Sequence, residues 1–271
     1  MQPRDWLKHP LTRGLGIDDP STTHLRKRII REKQFLRRIY EEWYSLFAQA
    51  LPAGPEPVLE LGSGGGFTKD FVSGLIKSEV FFCPGVDTVL NGQQLPFDRN
   101  TLRGIVMTNV LHHLSEVRLF FYEASRCIRS DGIIAMIEPW VTNWSQFVYA
   151  RLHHEPIMAN ARQWEFPSTG PLSSANSALA WIIFKRDRQQ FEREYPEWSI
   201  LSIQPFMPFR YLVSGGVSLR SLMPGWTFDS WRRLEYLLSP WMKHFAMFAK
   251  VILKRAYDSP KDAKIKPKLR E

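Results

Sequence analysis

Residues 58–67 read Val-Leu-Glu-Leu-Gly-Ser-Gly-Gly-Gly-Phe, and this stretch decides the fold. An apolar strand runs directly into a turn that carries Gly62, Gly64 and Gly66. Glycine lets the backbone turn tightly and lets a ligand approach main-chain N–H groups at the start of the next element. We predict that this next element is a helix over residues 68–76. The turn is therefore the expected ligand site of an α/β sheet.

The composition of the turn indicates which ligand it binds. A dinucleotide fingerprint has its third glycine at the position that Phe67 occupies here. The spacing is instead Gly-x-Gly-x-Gly, with Ser63 inside it and the acid Glu60 before it. A carboxylate adds little to a pyrophosphate site, whereas a ligand with a cationic amino group gains a charge-assisted hydrogen bond. S-adenosylmethionine is such a ligand, and Glu60 and Ser63 are predicted to contact it.

Four further motifs follow the turn in order. They are Glu79, which lies 19 positions (79 minus 60) after Glu60; Asn-Gly-Gln-Gln-Leu-Pro-Phe at 91–97; the stretch 105–114; and Ser-Asp-Gly-Ile at 130–133 with Glu-Pro at 138–139. With them, residues 58–140 resemble the class I S-adenosylmethionine-dependent methyltransferases. More narrowly, they resemble the small-molecule group that includes the ubiquinone and menaquinone C-methylases, the type 11 methyltransferase domain.

The resemblance implies roles for individual residues. Glu79 would hold the ribose hydroxyls, Asn91 and Gly92 would lie beside the adenine, and Asn109 would lie on the methionine side. Asn91 departs from the family, which usually has Asp there, so a hydrogen-bond acceptor is present without the charge. Asp87 is a rival for the acidic role at the ribose, and the spacing favours Glu79.

The resemblance also implies the architecture: a Rossmann-like, doubly wound α/β fold with a mostly parallel sheet and a final antiparallel strand. We expect an irregular arm and a helical lid over residues 1–50, and a methyltransferase domain over 51–257. Aromatic-rich insertions on the substrate side are expected at about 140–177 and 208–240, and a basic, disordered tail at 258–271.

The lid is expected to be one amphipathic helix from Ser21 or Thr22 to about Ala50. Apolar residues recur along it at intervals of three, four or seven, and basic residues occupy the other face. In the family, a helix before the first strand often covers the cofactor or the substrate. The alternative interpretation is a solvated basic face on a packed helix.

Whole-chain properties narrow the function class. The 271 residues are 44% hydrophobic and 23% charged, as in ordinary globular proteins, and no apolar run approaches the roughly 20 residues that span a bilayer. Cys83 and Cys127 are the only cysteines, which suits a reducing cytoplasm. The net charge of +9 favours anionic partners such as nucleic acid or phospholipid headgroups. We predict a cytoplasmic protein, with peripheral contact to an anionic membrane as an option.

Two histidines are candidates for the chemistry. Methyl transfer is an in-line displacement that needs a base only when the acceptor must lose a proton. His112 follows the strand expected beside the methyl group, so it is the first candidate for that base, and its neighbour His113 is the candidate for holding the loop. The alternative is that both histidines pack and bond to the backbone.

The predicted substrate side uses Trp140, His153, His154, Arg210 and Tyr211. The consecutive residues 153–155, His-His-Glu, would splay about 100° apart on a helix and could not chelate one metal ion well. We therefore predict no metal. The aromatic residues could line an apolar pocket, although such residues are often ordinary packing.

The leading hypothesis is methylation of O or C on a hydrophobic small molecule, of the quinol, polyketide or lipid-precursor class. An RNA methyltransferase is the second hypothesis, supported by the charge of +9. The motif Asn-Val-Leu-His-His at 109–113 opposes it, because amino-group methylases use Asn-Pro-Pro-Tyr or Asp-Pro-Pro-Tyr there. The third hypothesis is a cofactor-binding protein at a membrane surface that has lost catalysis.

Overall fold

Seven strands form one sheet in the order β3-β2-β1-β4-β5-β7-β6. The computed structural model describes residues 9–12, 20–152, 155–168, 170 and 174–256. The predicted tail at 258–271 lies outside these residues. The strands are β1 Val58–Leu61, β2 Leu75–Glu79, β3 Thr88–Val89, β4 Leu102–Thr108, β5 Ile128–Pro139, β6 Trp198–Phe206 and β7 Phe248–Arg255.

The strand directions confirm the predicted fold. Strand β1 runs parallel to β2 and β4, with Val58 opposite both Leu75 and Gly104, and β4 runs parallel to β5. Only β7 is inverted among the described strands, since it pairs antiparallel with both β5 and β6. The carboxyl ends of the parallel strands therefore meet at one edge of the sheet, where α/β folds place their ligands.

Helices cover both faces of the sheet. The first hydrophobic core contains the helix Val117–Cys127 and the helical segments between residues 179 and 194. The second contains the two N-terminal helices, Pro20–Glu32 and Gln34–Ala50, with residues of the helices Asn143–Leu152, Arg210–Ser214 and Phe228–Leu237 packed against them. No helix among the described residues is long and apolar enough to cross a bilayer. The helices are α1 Pro20–Glu32, α2 Gln34–Ala50, α3 Val117–Cys127, α4 Asn143–Leu152, α5 Leu179–Trp181 with the π-helical turn Ile182–Arg186, α6 Arg188–Glu194, α7 Arg210–Ser214, α8 Phe228–Leu237 and α9 Met242–Phe245.

The N-terminal helix is broken into two, so the prediction of one continuous helix was wrong. Lys33 separates α1 from α2 with a non-helical ψ of 89°. Its ammonium group donates to the carbonyl oxygens of Gly216 at 2.5 Å and Leu219 at 2.9 Å. The break thus coincides with a contact to a segment more than 180 residues away, which local periodicity does not reveal.

The predicted helix over 68–76 was also wrong. A single 3₁₀ turn, Thr68–Asp70, follows the glycine turn, and Gly74 adopts a left-handed φ of 67° before β2 begins. Leu75 and the residues after it belong to the sheet because they pair with β1. Leu75 and Ile76, the last two residues of the predicted helix, are therefore strand residues.

The two predicted insertions converge near the end of β5. The indole N–H of Trp144, in α4, donates to the carbonyl oxygen of Pro208 at 2.9 Å. The hydroxyl of Thr142 donates to the carbonyl oxygen of Ala246, also at 2.9 Å. These contacts place the segments around residues 140–152 and 208–246 against each other at the ligand edge of the sheet.

Candidate active site

The glycine turn is fixed to the neighbouring strand. Gly62 and Gly64 have left-handed φ values of 62° and 50°, which glycine adopts without strain. The backbone N–H of Ser63 donates to the carbonyl oxygen of Ser78, and the Ser63 hydroxyl accepts from the N–H of Ser78. The turn N–H groups are therefore held in position at the carboxyl edge.

Glu79 reaches this turn from the end of β2. Its Oε1 accepts a 2.5 Å hydrogen bond from the N–H of Gly64, and the side chain is buried, which raises its pKa. Asp87 lies apart from the turn: it is exposed and accepts from the N–H of Lys77 at 2.9 Å. This geometry favours Glu79 over Asp87 as the ribose acid, a role that stays a prediction.

Two buried oxygen atoms near the turn lack a hydrogen-bond partner. They are Oε2 of Glu60 and Oδ1 of Asn109. Burial raises the pKa of Glu60 to about 7, although its hydrogen bond from the Thr68 hydroxyl acts in the opposite direction. Unpartnered buried acceptors are costly, so both oxygens fit a ligand with hydrogen-bond donors such as an ammonium group. The side chains present thus fit S-adenosylmethionine.

The N-terminal helices lie directly on the turn. A Cβ atom added to Gly65 would be 2.3 Å from the backbone nitrogen of Lys27 in α1. A Cβ atom added to Gly66 would be 2.4 Å from the hydroxyl oxygen of Tyr44 in α2. We call this contact of α1 and α2 with the turn the cover, and its action as a lid on the cofactor or the substrate stays a prediction. The sequence analysis did not single out Gly65, whose lack of a side chain allows α1 to approach.

The adenine-side residues occupy a separate loop. Asn91 is exposed, and its Oδ1 accepts from the N–H of Gln93 at 2.9 Å, which closes a local turn. Gly92 is buried, and an added Cβ atom would be 3.3 Å from Leu61 and 3.5 Å from Leu114. The loop therefore packs against the end of β1, and its role at the adenine stays a prediction.

His112 lies in the 3₁₀ turn after β4 and is held by a carboxylate. Its Nδ1 is 2.6 Å from Oε2 of Glu138, whose other oxygen accepts from the N–H groups of Val110 and Leu111 at 2.8 and 2.9 Å. Burial lowers the pKa of His112, but the carboxylates of Glu138 and Glu155 outweigh burial and raise that pKa to about 10. Sequence analysis missed this use of Glu138.

His113 is held by a backbone carbonyl group instead. Its Nδ1 is 3.1 Å from the carbonyl oxygen of Ser174. Burial, followed by the charge of His112, lowers the pKa of His113 to about 4. A cationic His112 cannot accept a proton, whereas a neutral His113 can. Which histidine acts as a base stays a prediction.

Comparison with known proteins agrees with this geometry. Residues 59–136 match the family described as Methyltransferase domain. This chain contains a methyltransferase domain. The domain is S-adenosylmethionine-dependent, and its enzymes transfer the methyl group of that cofactor. A search of curated proteins finds no significant match to the sequence.

Solved structures share the fold at low sequence identity. The putative methyltransferase in complex with the Haloferax volcanii Trm112 activator is 11% identical with a TM-score of 0.51, over 90% of this chain and 99% of that chain. A geranyl diphosphate methyltransferase solved with S-adenosylmethionine is 14% identical with a TM-score of 0.50, over 85% and 90%. The C-methyltransferase for geranyl diphosphate from Streptomyces coelicolor has a TM-score of 0.48 at 14% identity, over 92% and 89%.

Two predicted substrate residues of this methyltransferase domain pack against other apolar side chains. Trp140 is buried in the first hydrophobic core, and its backbone N–H donates to the carbonyl oxygen of Met247 at 2.9 Å. Tyr211 stacks on Trp43 with a centroid distance of 5.7 Å and an interplanar angle of 16°. Burial raises the pKa of Tyr211 to about 12. The predicted residues His153 and His154 lie outside the described part of the chain.

Arg210 has a structural role in the methyltransferase. Its Nη1 and Nη2 donate to Glu42 in α2 at 2.6 and 2.9 Å, and its Nε donates to Glu235 in α8 at 2.5 Å. The side chain is only 5% exposed. The guanidinium group therefore joins three helices. A substrate contact of Arg210 stays a prediction.

Proposed function

We propose that the protein transfers the methyl group of S-adenosylmethionine to an oxygen or carbon atom of a hydrophobic small molecule, of the quinol, polyketide or lipid-precursor class. The observation that carries this proposal is the glycine turn beneath α1, where Glu79 bonds to Gly64, together with the unpartnered buried oxygens of Glu60 in β1 and of Asn109 directly after β4. The closer resemblance to the ubiquinone and menaquinone C-methylases is part of this proposal.

The cofactor would be held by three groups of this chain. Glu79 would accept from the ribose hydroxyls, and the unpartnered oxygens of Glu60 and Asn109 would accept from the amino group. The turn N–H groups and Gly64 leave room for close approach. The bound cofactor supplies an electrophilic methyl group on a sulfonium sulfur. The protein then has to orient the acceptor and exclude water from the displacement.

The cover supports a small acceptor over RNA. Helices α1 and α2 contact the turn directly, so a folded RNA would have to displace them. Burial raises the pKa values of the Tyr149 and Tyr211 hydroxyl groups, and the nearby charge of Glu155 raises both further. Phenol rings with a few polar groups are typical of small-molecule sites.

Calorimetry tests the cofactor step. S-adenosylmethionine and S-adenosylhomocysteine are titrated into wild type, Gly64→Arg and Gly74→Arg. Both variants place arginine at a left-handed glycine, but only Gly64 lies in the turn, whereas Gly74 is exposed before β2. We expect micromolar binding, about −8 kcal/mol, by wild type and Gly74→Arg and none by Gly64→Arg. No binding by folded wild type would refute the proposal.

A surface feature favours action at an anionic membrane. The segment 222–245 exposes large apolar side chains beside Arg232, Arg233 and Lys243. We call these side chains the aromatic patch: Leu222 (54% exposed), Trp226 (81%), Tyr236 (78%), Leu237 (70%), Trp241 (52%) and Phe245 (37%). Exposed tryptophan and tyrosine with neighbouring basic residues are typical of contacts at a lipid interface. Such a contact would bring a lipid-soluble acceptor to the enzyme.

Vesicle flotation tests this contact. We expect wild type to float with anionic vesicles and much less with neutral vesicles. The double variant Trp226→Ser and Tyr236→Ser should remain at the bottom with both, while its folding is checked by circular dichroism. Equal flotation with anionic and neutral vesicles, or unchanged flotation of the variant, would contradict the membrane contact.

A further inference from the structure

Three metal-binding side chains come together at the carboxyl end of β4. His112 and His113 are consecutive in the turn after β4, whereas Glu155 follows α4 in a distant part of the sequence. One ligand atom from each of the three lies within 4.8 Å of the others. Nε2 of His112 is 3.4 Å from Oε2 of Glu155, and Nε2 of His113 is 3.8 Å from Oε1 of Glu155.

A hydrogen-bond acceptor at Nδ1 fixes the orientation of each imidazole ring. Nδ1 of His112 contacts the Glu138 carboxylate at 2.6 Å, and Nδ1 of His113 contacts the carbonyl oxygen of Ser174 at 3.1 Å. These partners only accept hydrogen bonds, so each Nδ1 carries the proton. Both Nε2 atoms then face the Glu155 carboxylate, and a metal ion that binds there would displace the proton that the cationic His112 carries on Nε2. Histidine ligands of metal ions are usually oriented by such carboxylate or carbonyl partners.

We propose that Nε2 of His112, Nε2 of His113 and the carboxylate of Glu155 bind one divalent transition-metal ion of the zinc class. Ligand atoms of tetrahedral zinc lie roughly 3.4 Å apart, given bonds of about 2.0–2.1 Å. The two distances of 3.4 and 3.8 Å from Glu155 therefore need only small adjustments. Three protein ligands leave a fourth position open, as in catalytic zinc sites.

The ligand set selects the class of metal. Two imidazole nitrogens and one carboxylate suit zinc, iron, cobalt or nickel, whereas magnesium and calcium prefer oxygen ligands. The prediction of no metal considered the consecutive residues 153–155. The fold instead combines Glu155 with two histidines that lie more than 40 positions earlier.

The site has a direct use if the proposed methyl transfer holds. An ion with an open position can bind an oxygen of the acceptor and lower the pKa of its hydroxyl group. This use rests on the proposed function, but binding of the ion does not. Metal binding and cofactor binding are therefore measured separately in each protein sample.

Equilibrium dialysis of chelator-treated protein against zinc tests the site. We expect one tightly bound ion per chain in wild type and in the control His24→Ala, whose side chain is exposed in α1. Binding should weaken by more than about 100-fold in His113→Ala and Glu155→Gln, because each loses a ligand. Cobalt should give the visible bands of a low-coordinate site in wild type and His24→Ala, but not in His113→Ala or Glu155→Gln.

Glu138→Gln provides a test that leaves all three ligands in place. The carbonyl oxygen of the new amide would stay on the N–H groups of Val110 and Leu111, so the amide nitrogen would donate to Nδ1 of His112. The proton of His112 would move to Nε2, which could no longer bind a metal ion. We expect about 10- to 100-fold weaker zinc binding with an unchanged circular dichroism spectrum.

Several results would overturn the proposal. Folded wild type that binds no zinc would refute it, as would undiminished binding by His113→Ala and Glu155→Gln. Failure of zinc binding with intact S-adenosylmethionine binding would refute the metal site alone. Failure of cofactor binding with intact zinc binding would refute the proposed function and leave the metal site standing.

Discussion

Oε1 of Glu79 accepts a 2.5 Å hydrogen bond from the backbone N–H of Gly64, so the acid that ends β2 and the central glycine of the turn are in direct contact. A ribose hydroxyl group bound at this edge would share the same carboxylate. The contact therefore links the conformation of the turn to the residue that we predict to recognise the ribose.

Glu79→Gln tests this link. The amide oxygen can still accept from Gly64, so the turn should stay intact, but the charged acceptor for the ribose hydroxyls is lost. We expect S-adenosylmethionine affinity to fall by roughly 10-fold or more, since hydrogen bonds to charged groups contribute about 1.5–3 kcal/mol. Calorimetry measures the S-adenosylmethionine affinity of each protein. Asp87→Asn is the control and should bind as wild type, whereas the opposite pattern would assign the ribose to Asp87.

Glu60 should make stability depend on pH. Burial raises its pKa to about 7, against an ordinary value of 4.5. Between these values the folded protein keeps a proton that the unfolded chain has released, so the free energy of unfolding should fall as pH rises from about 4.5 to about 7. The total change is on the order of 3 kcal/mol. Thermal unfolding at several pH values measures this change in stability. The stability of Glu60→Gln should depend less on pH than that of wild type.

The same group predicts proton release on cofactor binding. A cationic amino group beside Glu60 favours the carboxylate, so binding below about pH 7 should expel its proton and affinity should rise with pH up to about 7. Calorimetry in two buffers with different ionisation enthalpies counts the released protons. Glu116→Gln, an exposed substitution, serves as the control. Release that persists in Glu60→Gln would show that another group titrates.

Local sequence was sufficient for β1 and for the glycine turn that follows it. The turn and Glu60 could be located because strand patterns and glycine spacing are local signals, whereas Glu79 was singled out by its spacing within the family resemblance. The helix predicted over 68–76 was wrong because pairing with β1 drew Leu75 into the sheet. Strand pairing is a tertiary effect, and it overrides local propensity.

Contacts between distant segments could not be predicted. Glu138 contacts His112 across 26 positions of sequence. Glu155 lies near both histidines only because β5 and α4, which separate them in sequence, return the chain to the end of β4. The sequence analysis grouped Glu155 with its neighbours at 153 and 154 because adjacency was the only visible relationship. Likewise, nothing in the local sequence pairs Gly65 with Lys27.

Gly65→Ala should loosen the cover. The added methyl group would lie 2.3 Å from the nitrogen of Lys27, so α1 must move. Gly64→Ala is the matched control: its methyl group has room at 3.6 Å from Glu79, and the cost is backbone strain of about 1–2 kcal/mol at a φ of 50°. Hydrogen exchange should show faster exchange of α1 amides in Gly65→Ala only. Equal protection of α1 in both variants would disprove the contact.

Arg210 should control stability and leave cofactor affinity unchanged. Its N–H groups are engaged by Glu42 and Glu235, and Glu235 is only 5% exposed. Arg210→Met would leave a buried carboxylate without its cation, which typically costs about 3–5 kcal/mol. Glu42 is 28% exposed, so Glu42→Gln should cost less.

A double-mutant cycle separates this role from substrate binding. The double variant Arg210→Met and Glu235→Met removes the unpaired charge, so it should recover part of the stability lost in Arg210→Met. Denaturant unfolding measures the free energy of unfolding of the four proteins. In calorimetry, each folded variant should bind S-adenosylmethionine as wild type does. If Arg210→Met kept its stability but lost affinity for an acceptor, the guanidinium group would face the substrate, as the sequence first suggested.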